Sequence, residues 1–209
     1  MGGRMKNIFL VVALLMVPSF ASAQGGRGWQ PRPDERDDDM AARLSGYFGV
    51  GFAGDARLRG GGFSGRGSLE PTLGFGLRFE KPIIRFLAIG GLLEFNSYNV
   101  SDGRDQRDSS MDFDVWVKGR YSLRAGDLRL VVYGGVPLGV SVLFLENTDN
   151  YRGFNTGLLA GLELVFGRFA PFFEIGWRHH WVRRKFDGFD DAKFISNQVR
   201  INFGASILF

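Results

Sequence analysis

The chain's only histidines, His179 and His180, are adjacent, and Ser196 and Asn197 follow a little further on. A serine made nucleophilic by a histidine base and a carboxylate is the chemistry such residues could perform. In an extended segment, neighbouring side chains point to opposite faces. His179 then shares a face with Trp177 and Trp181 while His180 turns to the other, and Asn197 and Ser196 divide likewise. Ser196 points away from the face that carries His179, so no Ser–His pair is expected to share a face. Two neighbours facing opposite ways also make a poor metal site, and no metal, cofactor or catalytic residue is assigned. A second constellation consists of charges set singly among apolar residues: Arg78, Glu94, Lys118, Arg120, Glu163, Glu174, Arg178 and Arg200. Their chemistry is ion pairing, provided that one interior gathers them.

Other polar clusters carry less. Consecutive carboxylates at Asp37, Asp38 and Asp39 repel one another and read as a solvated linker rather than a cation site. Gly60, Gly61, Gly62, Gly65 and Gly67 could cradle a phosphate, but the Lys-Ser/Thr and helix of a P-loop do not follow. Arg57, Arg59, Arg66, Arg183, Arg184 and Lys185 form two basic groups that suit either phosphorylated lipid or simple solvation.

The elements that must position these residues are strands. From Ser45 onward the chain alternates apolar and polar residues with period two. In Asp112 to Leu123 one phase reads Phe113, Val115, Val117, Gly119, Tyr121 and Leu123, and the other Asp112, Asp114, Trp116, Lys118, Arg120 and Ser122. In Leu69 to Glu80, Leu69, Pro71, Leu73, Phe75, Leu77 and Phe79 form the apolar phase. Eight such segments begin near Ser45, Leu69, Phe86, Asp112, Arg129, Asn155, Pro171 and Phe194, with start-to-start separations of 24, 17, 26, 17, 26, 16 and 23 residues. The alternation of long and short predicts an antiparallel meander with tight turns at one end, within 80–85, 124–128 and 167–170. Long loops are expected at the other, within 56–68, 99–111, 146–154 and 183–193. Pro137 is expected to force a bulge or irregular stretch, with Gly134 and Gly135 letting the backbone adjust.

The apolar phase of these segments carries no Asp, Glu, Lys or Arg, although those types make up 23% of the chain. Water tolerates a stray charge on such a face. Hydrocarbon does not, since a lipid-facing Arg or Lys costs about 2–4 kcal/mol at the midplane. Strands in lipid must pair every backbone group, which requires a closed sheet. Aromatic residues gather near the segment ends, Phe79, Tyr121, Phe166 and Phe209 on the turn side and Phe95, Phe113, Phe144, Trp177 and Trp181 on the loop side, as two interfacial girdles would. Trp177, His179 and Trp181 are assigned to the lipid interface.

The last segment alternates to a final Phe209, and Gly204, Ile207 and Phe209 match the C-terminal assembly signal of outer-membrane β-barrels, with Phe203 where a polar residue is usual. Over Ser45 to Phe209 the chain resembles the small eight-stranded bacterial outer-membrane barrels of the OmpA/OmpX type. The resemblance implies an all-β, closed, antiparallel, eight-stranded up-and-down transmembrane barrel in the bacterial outer membrane. It also implies partners: outer-membrane lipid and lipopolysaccharide, and the barrel-assembly machinery that reads the signal. The His-x-Ser-Asn signature of barrel-type lipid A deacylases is missing from Arg178-His179-His180-Trp181 and from Ser196-Asn197.

Composition agrees. With no Cys, disulfide scaffolds, Cys-bound metals and thiol chemistry are excluded. A mean hydropathy of −0.05 is too polar for a helical membrane bundle. The net charge of +4 falls to +2 without Arg4 and Lys6 (24 basic against 22 acidic), which gives no support for nucleic-acid binding. Residues 1–23 read as a signal peptide, with Arg4 and Lys6, the apolar run Ile8 to Val17, and Ala21-Ser22-Ala23 for cleavage. Residues 24–44 read as a polar periplasmic linker, and 45–209 as the barrel.

Eight strands enclose a space that side chains alone can fill. The eight inward charges are therefore expected to pair across the lumen, with Asp112 and Asp114 adding acid near the rim. The expected function is a plugged outer-membrane barrel serving membrane integrity or surface interaction through its extracellular loops. The alternatives are a small gated ion or solute pore and a lipid A-modifying enzyme.

Overall fold

A computed structural model of the chain describes residues 40–60, 63–98, 108–125, 128–144, 150–186 and 189–209. The signal peptide expected at 1–23, the acidic triplet and nearly all of the linker lie outside the described residues. Strand structure starts at Arg43, ahead of the expected Ser45.

Nine strands are found among the described residues: β1 (Arg43–Gly60), β2 (Phe63–Leu69), β3 (Thr72–Ile84), β4 (Leu87–Tyr98), β5 (Asp108–Ala125), β6 (Leu128–Phe144), β7 (Tyr151–Val165), β8 (Phe169–Phe186) and β9 (Phe189–Leu208). They pair antiparallel in the order β2-β1-β3-β4-β5-β6-β7-β8-β9, and β1 also pairs with β9. Eight strands, β1 and β3 to β9, thus close into a ring. The closing seam runs from Arg43↔Leu208 to Arg59↔Lys193 and is extended by reciprocal backbone bonds of 2.9 and 3.0 Å between Ala42 and Phe209.

Alternation decides which way each side chain faces. On β5, Phe113, Val115, Val117 and Tyr121 are exposed outside the ring, and Asp112, Asp114, Trp116, Lys118 and Arg120 are buried inside it. The expected girdle aromatics face outward, joined at the turn end by Phe86 and Phe169 and at the other by Phe154.

The long-loop end differs from expectation. Most of 56–68 and 183–193 is paired strand: β1 and β2 run in register from Gly54↔Leu69 to Gly60↔Phe63, and β8 and β9 stay paired to Phe186↔Phe189. Polar composition suggested loops there because the lipid pattern ends, but ladder pairing needs no apolar face where water bathes the outside.

Beyond the belt the amphipathicity turns over. On β8 the outward Trp181 and inward His180 give way to outward Arg183 and inward Val182. On β9, outward Ile195 and inward Ser196 give way to outward Lys193 and inward Phe194, which packs on a buried apolar cluster. On β1 a bulge makes the same change: Ala53 has φ 51°, and the register with β9 shifts between Phe52 and Asp55. Above it Arg57 and Arg59 face out and Ala56 faces in.

One further expectation needs correction, and a second holds in only one of its two forms. Leu69, placed on the outward apolar phase, is buried inside the ring, because pairing breaks at Glu70–Pro71 between β2 and β3 and the phase flips across the break. Proline has no N–H to continue the ladder. At Pro137 the irregular stretch is found and the bulge is not. Its pairing with β5 is continuous through Trp116↔Pro137, while the ladder to β7 omits Val136 and Pro137 and resumes at Leu138↔Thr156 without a register change. The Thr156 hydroxyl donates to the Pro137 carbonyl at 3.3 Å. Gly135 serves the interior rather than backbone adjustment: a Cβ there would lie 2.4 Å from the Trp116 ring.

Val115 is an exposed mid-strand residue of the uncharged belt. Val115→Arg is expected to destabilise the barrel by about 2–4 kcal/mol in vesicles, read by urea unfolding. A cost within about 0.5 kcal/mol, ordinary for a water-exposed surface, would contradict a lipid-facing belt.

Candidate functional site

The inward phase of the ring gathers charge from every side. Nearest the turn end, Arg43 Nη1 of β1 lies 3.2 Å from Glu80 Oε1 of β3 and 3.4 Å from Glu163 Oε2 of β7. Lys118 of β5 reaches the same two acids, at 2.9 and 3.8 Å, and the Trp116 indole N–H donates to Glu80 at 3.0 Å. Lys118 Nζ also lies 3.9 Å from the Tyr133 ring centroid.

One layer further in, Arg78 of β3 forms a bidentate pair with Glu174 of β8, at 2.6 and 2.9 Å. Its guanidinium carbon stands 4.4 Å from the Trp116 ring centroid and 5.3 and 5.4 Å from those of Tyr47 and Phe172. Glu174 accepts two more bonds, from the Tyr133 hydroxyl at 2.7 Å and Asn202 at 3.1 Å. A planar cation held edge-on by a carboxylate and face-on by aromatic rings is a geometry that arginine serves and lysine does not.

Next, Glu94 of β4 pairs with Arg200 of β9 and accepts from the Tyr47 hydroxyl at 2.5 Å and Asn96 at 2.9 Å. Above it Arg178 of β8 bridges to β5, 2.7 Å from Asp114 and 3.4 Å from Asp112. Asp112 also accepts from Ser141 at 2.5 Å and lies 3.1 Å from His180 Nε2. Arg120, the last of the expected set, is buried and donates from Nε to the Arg85 carbonyl at 3.0 Å, beside the β3–β4 turn.

An apolar cluster stands above this polar column: Ala56, Leu69, Leu143, Tyr151, Val182 and Ala192 are buried together on the inner face, with Leu58 and Phe194 against them.

The structure brings together side chains that sequence reading separated. Arg43 was assigned to the linker and Glu80 to a turn, although Glu80 lies on the phase of Arg78 and that signal could have found it. Tyr47, Trp116 and Tyr133 sit on polar phases, and their rings are buried inside the ring of strands. The expected absence of a Ser–His pair on one face is overturned. Ser196 is the cross-strand neighbour of His180, its Oγ is 3.3 Å from His180 Nδ1, and Asp112 holds the other ring nitrogen. Ser196 and His180 share the inward phase, whereas His179 pairs with Asn197 on the outward one. This Ser–His–Asp chain is buried, directly beneath the apolar cluster.

The remaining assigned residues are at the wall. His179 stacks on Trp177 with centroids 5.7 Å apart, and its Nδ1 lies 2.8 Å from Asn197 Oδ1, two polar groups in register on the outer face below Trp181. Gly204 faces inward, where a Cβ would come within 2.6 Å of the Phe172 ring, while Ile207 and Phe209 are exposed outside.

No protein-family model matches this sequence, and no curated protein matches it either. Solved structures do. OprG of Pseudomonas aeruginosa, an outer-membrane protein, is 12% identical and superimposes with a TM-score of 0.56 over 81% of this chain and 96% of its own. The chain has the fold of the small outer-membrane β-barrels. Lower scores are found with neisserial surface protein A (11% identity, TM-score 0.43, 80% of this chain and 99% of that one) and with the outer-membrane protease OmpT of Escherichia coli (9%, 0.37, 80% and 97%). At such identities likeness carries the fold and no activity. The uncharged outward belt is this barrel's own property, and together with the fold it places the barrel in the bacterial outer membrane.

Removing one partner of the Arg78–Glu174 pair leaves a buried charge uncompensated. Arg78→Met and Glu174→Gln are each expected to cost about 3–5 kcal/mol in vesicle unfolding, and Arg78→Met/Glu174→Leu less than either alone. Additive costs would show that the two do not act as a pair.

Proposed function

We propose that this barrel is a non-conducting, non-enzymatic outer-membrane protein that serves membrane integrity or surface interaction, with the extended β1–β2 and β8–β9 hairpins outward and the short turns in the periplasm. What supports this reading is the set of side-chain contacts across the ring. Arg78 is fixed across the ring by Glu174 and flanked by Trp116, Tyr47 and Phe172, and the apolar cluster lies between this column and the outer mouth. An ion path would need these partners to exchange in concert, and each exchange would leave a charge unpaired in a narrow space.

The Ser196–His180–Asp112 chain is the feature that favours an enzyme reading, and its surroundings weigh against it. Ser196 is 1% exposed. Asp112 is further occupied by Arg178 and Ser141, and a lipid substrate in the membrane meets the outer wall, not the lumen. His179, which does face outward, is bonded to Asn197 rather than to a serine.

Planar-bilayer recording tests the proposal. The purified barrel is expected to give no stepwise current, and Arg78→Ala/Trp116→Ala, which removes the centre of the column, to give one. A current in the unaltered protein that Glu94→Ala or Arg120→Ala abolishes would establish the pore instead. An altered lipid A acyl pattern that depends on Ser196 or His179 would establish the enzyme.

A further inference from the structure

The outward face just beyond the belt carries an unusual run of like charge. Arg59 of β1 lies opposite Lys193 of β9, Lys193 opposite Arg183 of β8, and Arg183 opposite Arg152 of β7. Four cations are thus direct cross-strand neighbours in a row. Beside them Arg57 of β1 faces Arg66 of β2. All six side chains are exposed. Directly opposed residues hold their Cβ atoms about 4.5–5.5 Å apart, and like charges in that relation destabilise a sheet. Among the described residues, the acids on the outward side of these segments are Asp55, Glu70 and Asp191. Among the described residues the one ion pair made by these six cations is Arg57 with Asp55, at 4.0 Å. Nothing in pairing or packing demands cations here, because the inner face of the same segments supplies the apolar cluster.

Depth identifies what would neutralise the row. Arg152, Arg183 and Lys193 each stand two residues along their strands from Phe154, Trp181 and Ile195, outward members of the belt. Two residues of strand span about 6.6–6.8 Å, so the cations lie one pleat repeat above the apolar surface. A lipid whose acyl chains cover that surface places its headgroup at this level.

We propose that this row, Arg59, Arg152, Arg183 and Lys193 with Arg57 and Arg66 beside it, binds the phosphate groups of a phosphorylated saccharolipid of the outer leaflet, whose acyl chains pack on the Trp181–Phe154 side of the belt. Guanidinium groups bind phosphate oxygens in bidentate fashion, and opposed pairs on adjacent strands let one phosphate bridge two cations. The bound anion converts a repulsive row into a cross-strand clamp over β7, β8, β9 and β1, which includes the seam where the ring closes. This rests on the outward orientation of the long hairpins proposed above.

The test uses the full-length refolded protein in detergent micelles, with bisphosphorylated lipid A, its dephosphorylated form, and inorganic phosphate as competitor. Arg59→Gln/Arg152→Gln/Arg183→Gln/Lys193→Gln is expected to weaken binding of bisphosphorylated lipid A by about tenfold or more. Arg85→Gln/Arg124→Gln/Arg168→Gln, at the turn end, is expected to leave it unchanged. Dephosphorylated lipid A is expected to bind weakly, and binding of the phosphorylated form to fall with added salt. Retention of full affinity in the fourfold variant, or equal binding of dephosphorylated lipid, overturns the proposal. Displacement by inorganic phosphate at concentrations equal to the lipid would assign the row to free phosphate and overturn the lipid. Should the fourfold variant fail to show the heat-dependent gel shift of a folded barrel, Arg183→Gln/Lys193→Gln is read in its place, with about a threefold loss expected. Orientation is read separately, by labelling Arg183→Cys on intact cells with an impermeant reagent. Labelling only after permeabilisation would refute the orientation while leaving the micelle result standing.

Discussion

Hydrocarbon offers no partner to a backbone amide, and that constraint shapes this molecule more than any side-chain contact. A strand crossing lipid must bond on both edges, so the last strand has to find the first. Here β9 meets β1 along nearly its whole length, through a register that shifts once, at the Ala53 bulge, and continues on the far side. Once the ring is closed, two environments follow: an outer wall that excludes charge within the belt, and an interior lined by charged, polar and aromatic side chains.

The interior contributes specificity. Most of its ion pairs join strands that are not neighbours in the wall: β3 to β8, β5 to β3 and β7, β8 to β5, β9 to β4, while Arg43–Glu80 joins the neighbours β1 and β3. A one-residue slip in any strand would send its inward charge into lipid. Buried ion pairs contribute little net stability against well-packed apolar residues, but breaking one is costly, and that asymmetry suits them to fixing register. The glycines at 135 and 204 belong to the same arrangement, because each leaves room for a large ring, Trp116 or Phe172, to lie across the lumen.

Much of this was legible in the sequence, for a physical reason. Period-two alternation records which side of the wall a residue faces, and a lipid exterior makes the record strict, so Val115, Phe113, Arg78 and Glu174 could be assigned to their faces without coordinates. The reading failed where the exterior solvent changes. Above the belt water replaces lipid, the same strands carry charge outside and apolar residues inside, and segments such as 56–68 look like loops. The Glu70–Pro71 break and the Ala53 bulge are backbone events whose effect on phase no alternation announces. Interior partnership was legible only in part: the polar phase names Glu94 and Arg200 as inward, but not that they meet, and it puts Ser196 and His180 on one face while only the β8–β9 register makes them neighbours. The basic residues near 57 and 183 were visible, but only strand register shows that Arg59, Lys193, Arg183 and Arg152 stand in one row.

Because the chain contains no Cys, a spin label can be placed at single positions without background. Labels introduced one at a time from position 113 to 118 of β5, with the protein in vesicles, report collisions with oxygen, which partitions into hydrocarbon, and with a water-soluble nickel chelate. The account requires high oxygen and low nickel accessibility at 113, 115 and 117, and low accessibility to both reagents at 114, 116 and 118. High nickel accessibility at 113, 115 and 117 would mean that water bathes the uncharged face, and the membrane barrel described here would be wrong.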